Sequence, residues 1–351
     1  GFERWVEEQR KPAEEDPQFG GIYGQASGVH SMAEAIGGTG RTFSFYVANL
    51  VRKYGEDWAV SWRNTSYARL RAWGFNTLGN WSQGDVISHS PMPYVVSTGV
   101  GEVPVIAAAR GYWGKMMDVY HPDFAFAVDR AIGAMARHHA DRPLCIGYFV
   151  DNELAWEGIQ AGTLNSPVEQ PARRKLIEML QAKYVDIAAL RSAWTVDAAD
   201  WDVLRFPQEV NAAAQADLDV YLYGFARHYF QTIRDALRRH APHQLYLGCR
   251  FATAPAPAVE ACADVADVLS FNLYYREVAC ERYSEIAKGR VPILIGEFHF
   301  GALDRGMFHA GLVAARDQKE RASLYQRYVR RVVDCPDFIG CHWFQYVDEP
   351  A

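Results

Sequence analysis

The chain has 351 residues, 49% of them hydrophobic, and 36 Lys and Arg stand against 42 Asp and Glu for a net charge of −6. That length suits one large α/β domain with an ample core, and the charge argues against a nucleic-acid surface. No apolar run reaches the ~20 residues that cross a bilayer.

Residues 1–60 read as an irregular lead-in: Glu7–Asp16 is polar, Gly20–Gly40 is rich in glycine, and a helix runs from about Ser44 to Tyr54. Arg63–Trp73 reads as a helix stopped by Gly74. Phe75–Trp81 (FNTLGNW) and Val103–Ala108 (VPVIAA) read as short strands, with a loop at 82–102 between them. Pro122–His139 is helical, with Phe124, Val128, Ile132 and Met135 on one face. Leu144–Glu153 is a third strand. Residues 154–214 form an insertion holding at least one helix, near Arg173–Trp194. Leu218, Leu222, Phe225, Tyr229, Ile233 and Leu237 mark a strong amphipathic helix. Leu245–Phe251, Val268–Tyr274, Pro292–Phe300 and Ile339–Tyr346 are strand-like, Ala252–Ala258 is a loop, and Gln318–Val333 is a helix.

Strands alternating with helices imply a parallel sheet. Their near-continuous apolar runs are those of strands covered on both faces. The count is seven, one short of an eight-stranded barrel. The expected fold is therefore α/β, a TIM (β/α)8 barrel over residues 61–351, with strand 1 cryptic near Gly20–Gln25 or missing from this chain. A doubly wound open sheet is the alternative, but no GxGxxG fingerprint follows any strand.

Of the six cysteines, Cys145, Cys249 and Cys341 fall in apolar strand-like runs and read as buried free thiols rather than a disulfide framework. No Cys/His cluster has zinc-site spacing, and no metal or cofactor is signalled. No leader is legible at the start; because the chain opens on Gly1, an upstream segment stays open.

Polar residues gather where the strands end, the face on which barrel enzymes carry their sites. They are Asn80 and Trp81; Asp151, Asn152 and Glu153; Arg250; Asn272, Tyr274 and Tyr275; Glu297 and His299; and His342, Trp343 and Gln345. Asp348 and Glu349, just beyond, contact substrate or only solvent. Glu153 follows CIGYFV and Glu297 follows VPILIG. A carboxylate in an apolar strand is costly to bury unless paired or hydrogen-bonded. One such Glu is explained by an arginine partner; two on different strands, both near C-terminal ends, are better explained as a working pair. Paired carboxylates are the apparatus of glycoside hydrolysis, one giving a proton to the leaving oxygen and the other attacking the anomeric carbon or activating water. Aromatics at 13% of the chain suit that chemistry, since ring faces stack on sugar C–H faces, although most of them fill the core.

GYFVDNELAW (147–156) resembles the strand-4 Asn-Glu motif of clan A glycoside hydrolases, and PILIGEFHFG (292–301) resembles their strand-7 Glu. YVANLVRKYGEDW (46–58), RLRAWGFNTLGNWS (69–82), LQAKYVDIAALRSAW (180–194) and CHWFQYVDEP (341–350) resemble family 50, the exo-acting β-agarases, with family 42 β-galactosidases second. The resemblance implies a retaining hydrolase with Glu153 as acid/base and Glu297 as nucleophile. It implies that Asn152 bonds the sugar 2-hydroxyl, that Trp343 floors the −1 subsite and that no cofactor is needed. Tyr274, or Tyr275 if the register slips by one, donates to Glu297. Asn80 and Trp81 line the same pocket, Gln345 belongs with them to the substrate-binding set, and Arg250 and Asp151 form supporting hydrogen bonds. His299 binds sugar hydroxyls or is a satisfied structural histidine. The implied partner is an oligo- or polysaccharide, with no nucleic acid and no membrane, and the implied location is secreted or periplasmic, with a cytoplasmic site the alternative. Rival readings are a β-glycosidase of the same clan on small oligosaccharides and a decayed, carbohydrate-binding barrel. An aldolase is disfavoured, since the strand runs hold no lysine.

Overall fold

The computed structural model describes residues 23–27 and 39–347. The expectations for Glu7–Asp16, Asp348 and Glu349 lie outside them. The chain divides into two compact units, one running to Asn76 and including Ser88–Pro91, the other made of Thr77–Ile87 and the chain from Met92 onward.

In the first unit, β1 (Tyr23–Ser27) and β2 (Thr39–Phe43) pair antiparallel, with Tyr23 opposite Phe43. Tyr23–Gln25, the described part of the stretch considered for a cryptic parallel strand, thus belongs to a two-stranded sheet of its own. α1 (Phe45–Tyr54) begins where the Ser44 hydroxyl accepts the Val47 N–H at 3.2 Å, which satisfies one of the first-turn donors. α2 (Trp58–Ala72) stops just before Gly74, whose φ of 85° ends the helical path.

The second unit is α/β. Leu78 makes a parallel bridge to Tyr94, the first residue of β3 (Tyr94–Thr98). β3 pairs in parallel with β4 (Cys145–Val150), and β4 with β5 (Leu245–Tyr246). A parallel bridge from Phe251 to Phe271 leads to β6 (Leu269–Asn272), which continues in parallel through β7 (Ile293–Phe298) to β8 (Phe338–Trp343). Val95, Phe149, Leu247, Val268 and Leu294 pack into one buried cluster, each drawn from or next to a successive strand. Helices separate the strands: α3 (Gly84–Ser88), α4 (Phe124–His139), α5 (Ile159–Asn165), α6 (Pro171–Lys183), α7 (Ile187–Trp194), α8 (Ala212–His240), α9 (Ala256–Ala263), α10 (Cys280–Ala287) and α11 (Gln318–Asp334). Among the described residues no helix is long and apolar enough to cross a membrane.

Two expectations are corrected. Val103–Ala108 is not a strand of this series: Val105 bridges Met117 antiparallel and Ile106 N–H donates to Met116 O at 2.9 Å, so the segment starts a folded-back arm. The strand in its place is β3, YVVST, inside the stretch read as a loop. The stretch near Arg173–Trp194, expected to hold at least one helix, holds two, separated at Tyr184, with Asp186 Oδ1 capping α7 through the Ala189 N–H at 2.8 Å. Cys145, Cys249 and Cys341 are free as expected, Cys341 only half-buried, but Cys280 and Cys335 form a disulfide with Cα atoms 6.2 Å apart.

Candidate active site

Glu297 lies on β7 and is 6% exposed. The β6–β7 register slips between Phe271 and Asn272, which sets Asn272 opposite Glu297. A local irregularity of this kind re-aims side chains at strand ends. Across β7 a Cβ added at Gly296 would stand 2.7 Å from Asn272 Oδ1 and 3.3 Å from Arg250 Nη1, so only glycine lets those two side chains lie over the strand.

The turn after β4 is bent sharply: Asp151 has φ 58° and Glu153 φ 51°. Left-handed backbone is unfavourable for such residues and persists only where contacts hold it. Here Asp151 N–H donates to Thr98 O at 2.8 Å, and its carboxylate accepts the Val100 N–H at 2.7 Å and the Tyr229 hydroxyl at 2.6 Å. Burial pushes the Asp151 carboxyl up to about 6, against the pull of those two bonds. Trp81 and Arg250, at the ends of their own segments, share the left-handed geometry, with φ 64° and 57°.

Arg250 is fully buried and joins the two halves of the site. Its Nη2 pairs with Glu297 Oε1 and its Nε donates to Asn152 Oδ1 at 2.8 Å, while its backbone N–H is fixed by the Ser270 hydroxyl at 2.9 Å. Its guanidinium carbon lies 5.0 Å from the Phe149 ring centre and 5.7 Å from that of Trp81. Burial pulls its pKa down and Glu297 opposes that. Two more donors complete the shell of Glu297: Trp81 Nε1 reaches Oε1 at 2.8 Å, and the Tyr274 hydroxyl donates to Oε2. Burial raises the Tyr274 phenol, with the adjacent Glu297 acting in the same direction.

Glu153 is half-buried. Asn272 Nδ2 donates to its Oε1 at 2.7 Å, and Trp113 Nε1 to its Oε2 at 2.6 Å. The same Asn272 amide reaches Asn152 Oδ1 at 3.4 Å. The two glutamates are therefore joined by a continuous chain of side chains, Glu153–Asn272–Asn152–Arg250–Glu297.

Of the residues singled out from sequence, Glu153, Glu297, Asn152, Trp81, Arg250 and Tyr274 come together in this network. Tyr275 does not: it is 55% exposed, so the fallback for a slipped register is set aside. His299 accepts the Leu312 N–H on Nε2 at 2.8 Å, bonds the Phe344 backbone and sits edge-on to Tyr274, with burial holding its pKa low, so it braces Tyr274 as a neutral ring. Trp343 donates to Gln345 O at 3.0 Å and packs on Phe298, Phe300 and Tyr325. Asn80, beside Trp81, keeps a buried amide that finds no partner among the described residues. Sequence reading gave no role to Asn272 or to Trp113. Asn272 had a signal, an amide at the end of the buried run LSFN. Trp113 had none, since it stands on the arm rather than on a strand.

Two carboxylates at the ends of strands in a parallel α/β unit, joined by amides and an arginine and flanked by indoles, have the fold and layout of the α/β glycoside hydrolases. Residues 108–291, more than half of the chain, match the family model described as beta-galactosidase, glycoside hydrolase family 42, and the chain belongs to that family. The likeness to agarases runs over more of the chain, as the family 50 resemblance implies. Beta-agarase A of Vibrio sp. (strain JT0107) is 35% identical over 341 residues, which is 89% of this chain and 34% of that protein. A solved exo-beta-agarase superposes with a TM-score of 0.88 at 34% identity, covering 96% of this chain and 48% of that one. A second solved agarase gives 0.86 at 35% identity, covering 96% and 50%. The chain thus spans about a third of the curated relative and about half of the solved ones.

Proposed function

We propose that this chain is the catalytic part of a retaining glycoside hydrolase that cleaves β-galactosidic bonds in agarose-type poly- or oligosaccharides. The observation that carries the reading is the pair Glu153 and Glu297, tied through Asn272, Asn152 and Arg250. The similarity to agarases points to the substrate. The architecture we propose is a (β/α)8 barrel. It is supported by the parallel succession from Leu78 to β8 and by the proximity of its two ends, where a Cβ on Gly79 would lie 3.3 Å from the His342 side chain.

In this mechanism Glu153 gives its proton to the glycosidic oxygen while a Glu297 oxygen attacks the anomeric carbon. The C–O bond to the leaving sugar breaks, and a glycosyl ester on Glu297 forms. Water then attacks that carbon, Glu153 takes the water's proton, and Glu297 leaves as carboxylate. Three donors around Glu297 keep one oxygen aimed, which is what in-line attack requires. Glu153 has two neutral donors, Asn272 and Trp113, and no ion pair among the described residues. The Cys280–Cys335 disulfide supports a secreted or periplasmic location, since such bonds persist in oxidising compartments.

The test is hydrolysis of agarose oligosaccharides by wild type, Glu153→Ala and Glu297→Ala, with and without azide. Both variants lose activity, and Glu297→Ala with azide yields a glycosyl azide of inverted configuration. Near-wild-type turnover by either variant rejects the two-glutamate mechanism. The family 42 match supports a second reading, a β-galactosidase of small substrates. It gains if wild type ignores agarose oligomers but cleaves a small β-galactoside through the same two residues.

A further inference from the structure

The segment between β3 and α4 folds back into an arm, Val105 to Met117. It is fastened to the chain that follows Glu153. Gln170 Nε2 donates to Val105 O at 2.9 Å and its Oε1 accepts the Ala107 N–H at 3.0 Å, while the Ser166 hydroxyl accepts the Ala108 N–H at 3.1 Å. A Cβ added at Gly162 would stand 2.6 Å from Ala109 Cα, so the arm's backbone rests directly on α5. These contacts hold the tip of the arm in a fixed place relative to the acid/base candidate.

At the tip, Tyr112 is 88% exposed and Trp113 58% exposed, their rings 4.6 Å apart and edge-to-face at 84°. Trp113 bonds Glu153 Oε2, and the 5%-exposed Asn272 bonds Oε1. The two oxygens of Glu153 therefore differ. Oε1 faces the interior behind Asn272, and Oε2 faces the aromatic pair at the surface. A leaving sugar has to bring its glycosidic oxygen to the oxygen that gives the proton, and only Oε2 lies on the open side. We propose that Tyr112 and Trp113 form the subsite for the leaving-group sugar, one ring giving its face to the sugar's C–H face and the other, nearly perpendicular to it, lying along the sugar's edge, while its glycosidic oxygen meets Oε2. This rests on the glycosidase reading above and adds to it the side from which the leaving sugar is held. Two large exposed rings fixed on a rigid arm are surface that a bound sugar removes from water.

The experiment compares kcat/KM on agarose oligosaccharides with kcat/KM on the β-glycosyl fluoride of the same donor sugar, whose leaving fluoride offers nothing to stack. In Trp113→Ala the loss on the oligosaccharide exceeds the loss on the fluoride by about ten- to a hundredfold, chiefly in KM. Trp113→Phe keeps a ring without the N–H and recovers most of that difference. Tyr112→Ala shifts the ratio in the same direction by a smaller factor. Equal losses on both substrates overturn the proposal, because Trp113 then acts only through Glu153; so does the absence of loss on either. If wild type cleaves neither substrate, the glycosidase reading falls and this one with it.

Discussion

Arg250 places a full charge where no water reaches it, and Glu297 is its counter-charge. Breaking such a pair by removing one partner strands the other and costs about 3–5 kcal/mol. Glu153 has no ion pair among the described residues and is only half-buried, so replacing it disturbs hydrogen bonds worth about 1 kcal/mol. Glu297→Gln is therefore expected to lower the urea midpoint well below that of Glu153→Gln, while the proposed mechanism expects both to lose turnover. Equal midpoints would show that Arg250 does not depend on Glu297. Gly296 tests the same network without touching either carboxylate. The methyl of Gly296→Ala meets Asn272 Oδ1 and Arg250 Nη1, whose side chains hold Glu153 and Glu297. We expect kcat/KM to fall about a hundredfold, the scale of an ångström of misplacement, with a stability loss of about 1–3 kcal/mol. A variant with unchanged kinetics would show that the amide and guanidinium are not what align the glutamates. At this scale the sequence showed the charged and aromatic residues on strand ends, because a carboxylate that follows the apolar run VPILIG is too costly to bury without a partner or a task. It did not show Trp113, because nothing local to Gly111–Tyr112–Trp113–Gly114 reveals that the arm folds back toward β4.

At the scale of elements, α8 and α11 were readable because their apolar periodicity runs over several turns, and β4 and β7 because their runs are long and flanked by turns. β3 was not. YVVST is five residues long, and VPVIAA downstream has the better apolar run, yet its Pro104 lacks an N–H for a ladder and its partner is Met117. Strand 5 was read too long: of Leu245–Phe251 only Leu245–Tyr246 pair regularly, and the chain then turns left-handed at Gly248 and Arg250 to aim the arginine inward. α9 and α10, eight residues each, carry too few turns for periodicity to speak. The disulfide was invisible because pairing depends on distance: Cys280 starts α10, Cys335 follows α11, and β7 lies between them in sequence. Opening that 55-residue loop in the unfolded chain lowers stability by about 4 kcal/mol on the chain-entropy account. Cys280→Ser is accordingly expected to melt several degrees below wild type, and wild type in reductant should approach it. If reductant leaves the wild-type melting point where it is, the bond contributes nothing to stability.

For the molecule as a whole, the pH dependence of stability is set by buried groups of opposite sign. Burial, with Arg250 nearby, pushes the β8 residue His342 down to about 4. A base held neutral in the fold contributes stability that is present above its unfolded pKa of ~6.5 and is lost as pH falls toward about 4. Asp151 is the reverse case. Its folded pKa is raised to about 6, so its contribution is present below the unfolded value and lost as pH rises through 6. Each is worth about 3 kcal/mol across its window by linkage. Between pH 6.5 and 4 the two nearly cancel, and the net acid loss is left to other groups: His139, His228 and His299, which burial also holds below the ordinary histidine value, and, toward pH 4, carboxylates held low by their partners, such as Glu320 beside Arg316. The single variants should therefore tilt in opposite directions. His342→Asn removes an acid-sensitive group, and its stability should fall less than wild type between pH 6.5 and 4. Asp151→Asn removes the group that gains on acidification, and its stability should fall more. Urea midpoints at pH 4, 5 and 6.5 decide it. Two variants that both run parallel to wild type would mean that neither group titrates differently in the fold, and a shared direction would mean that the sign assigned to one of them is wrong.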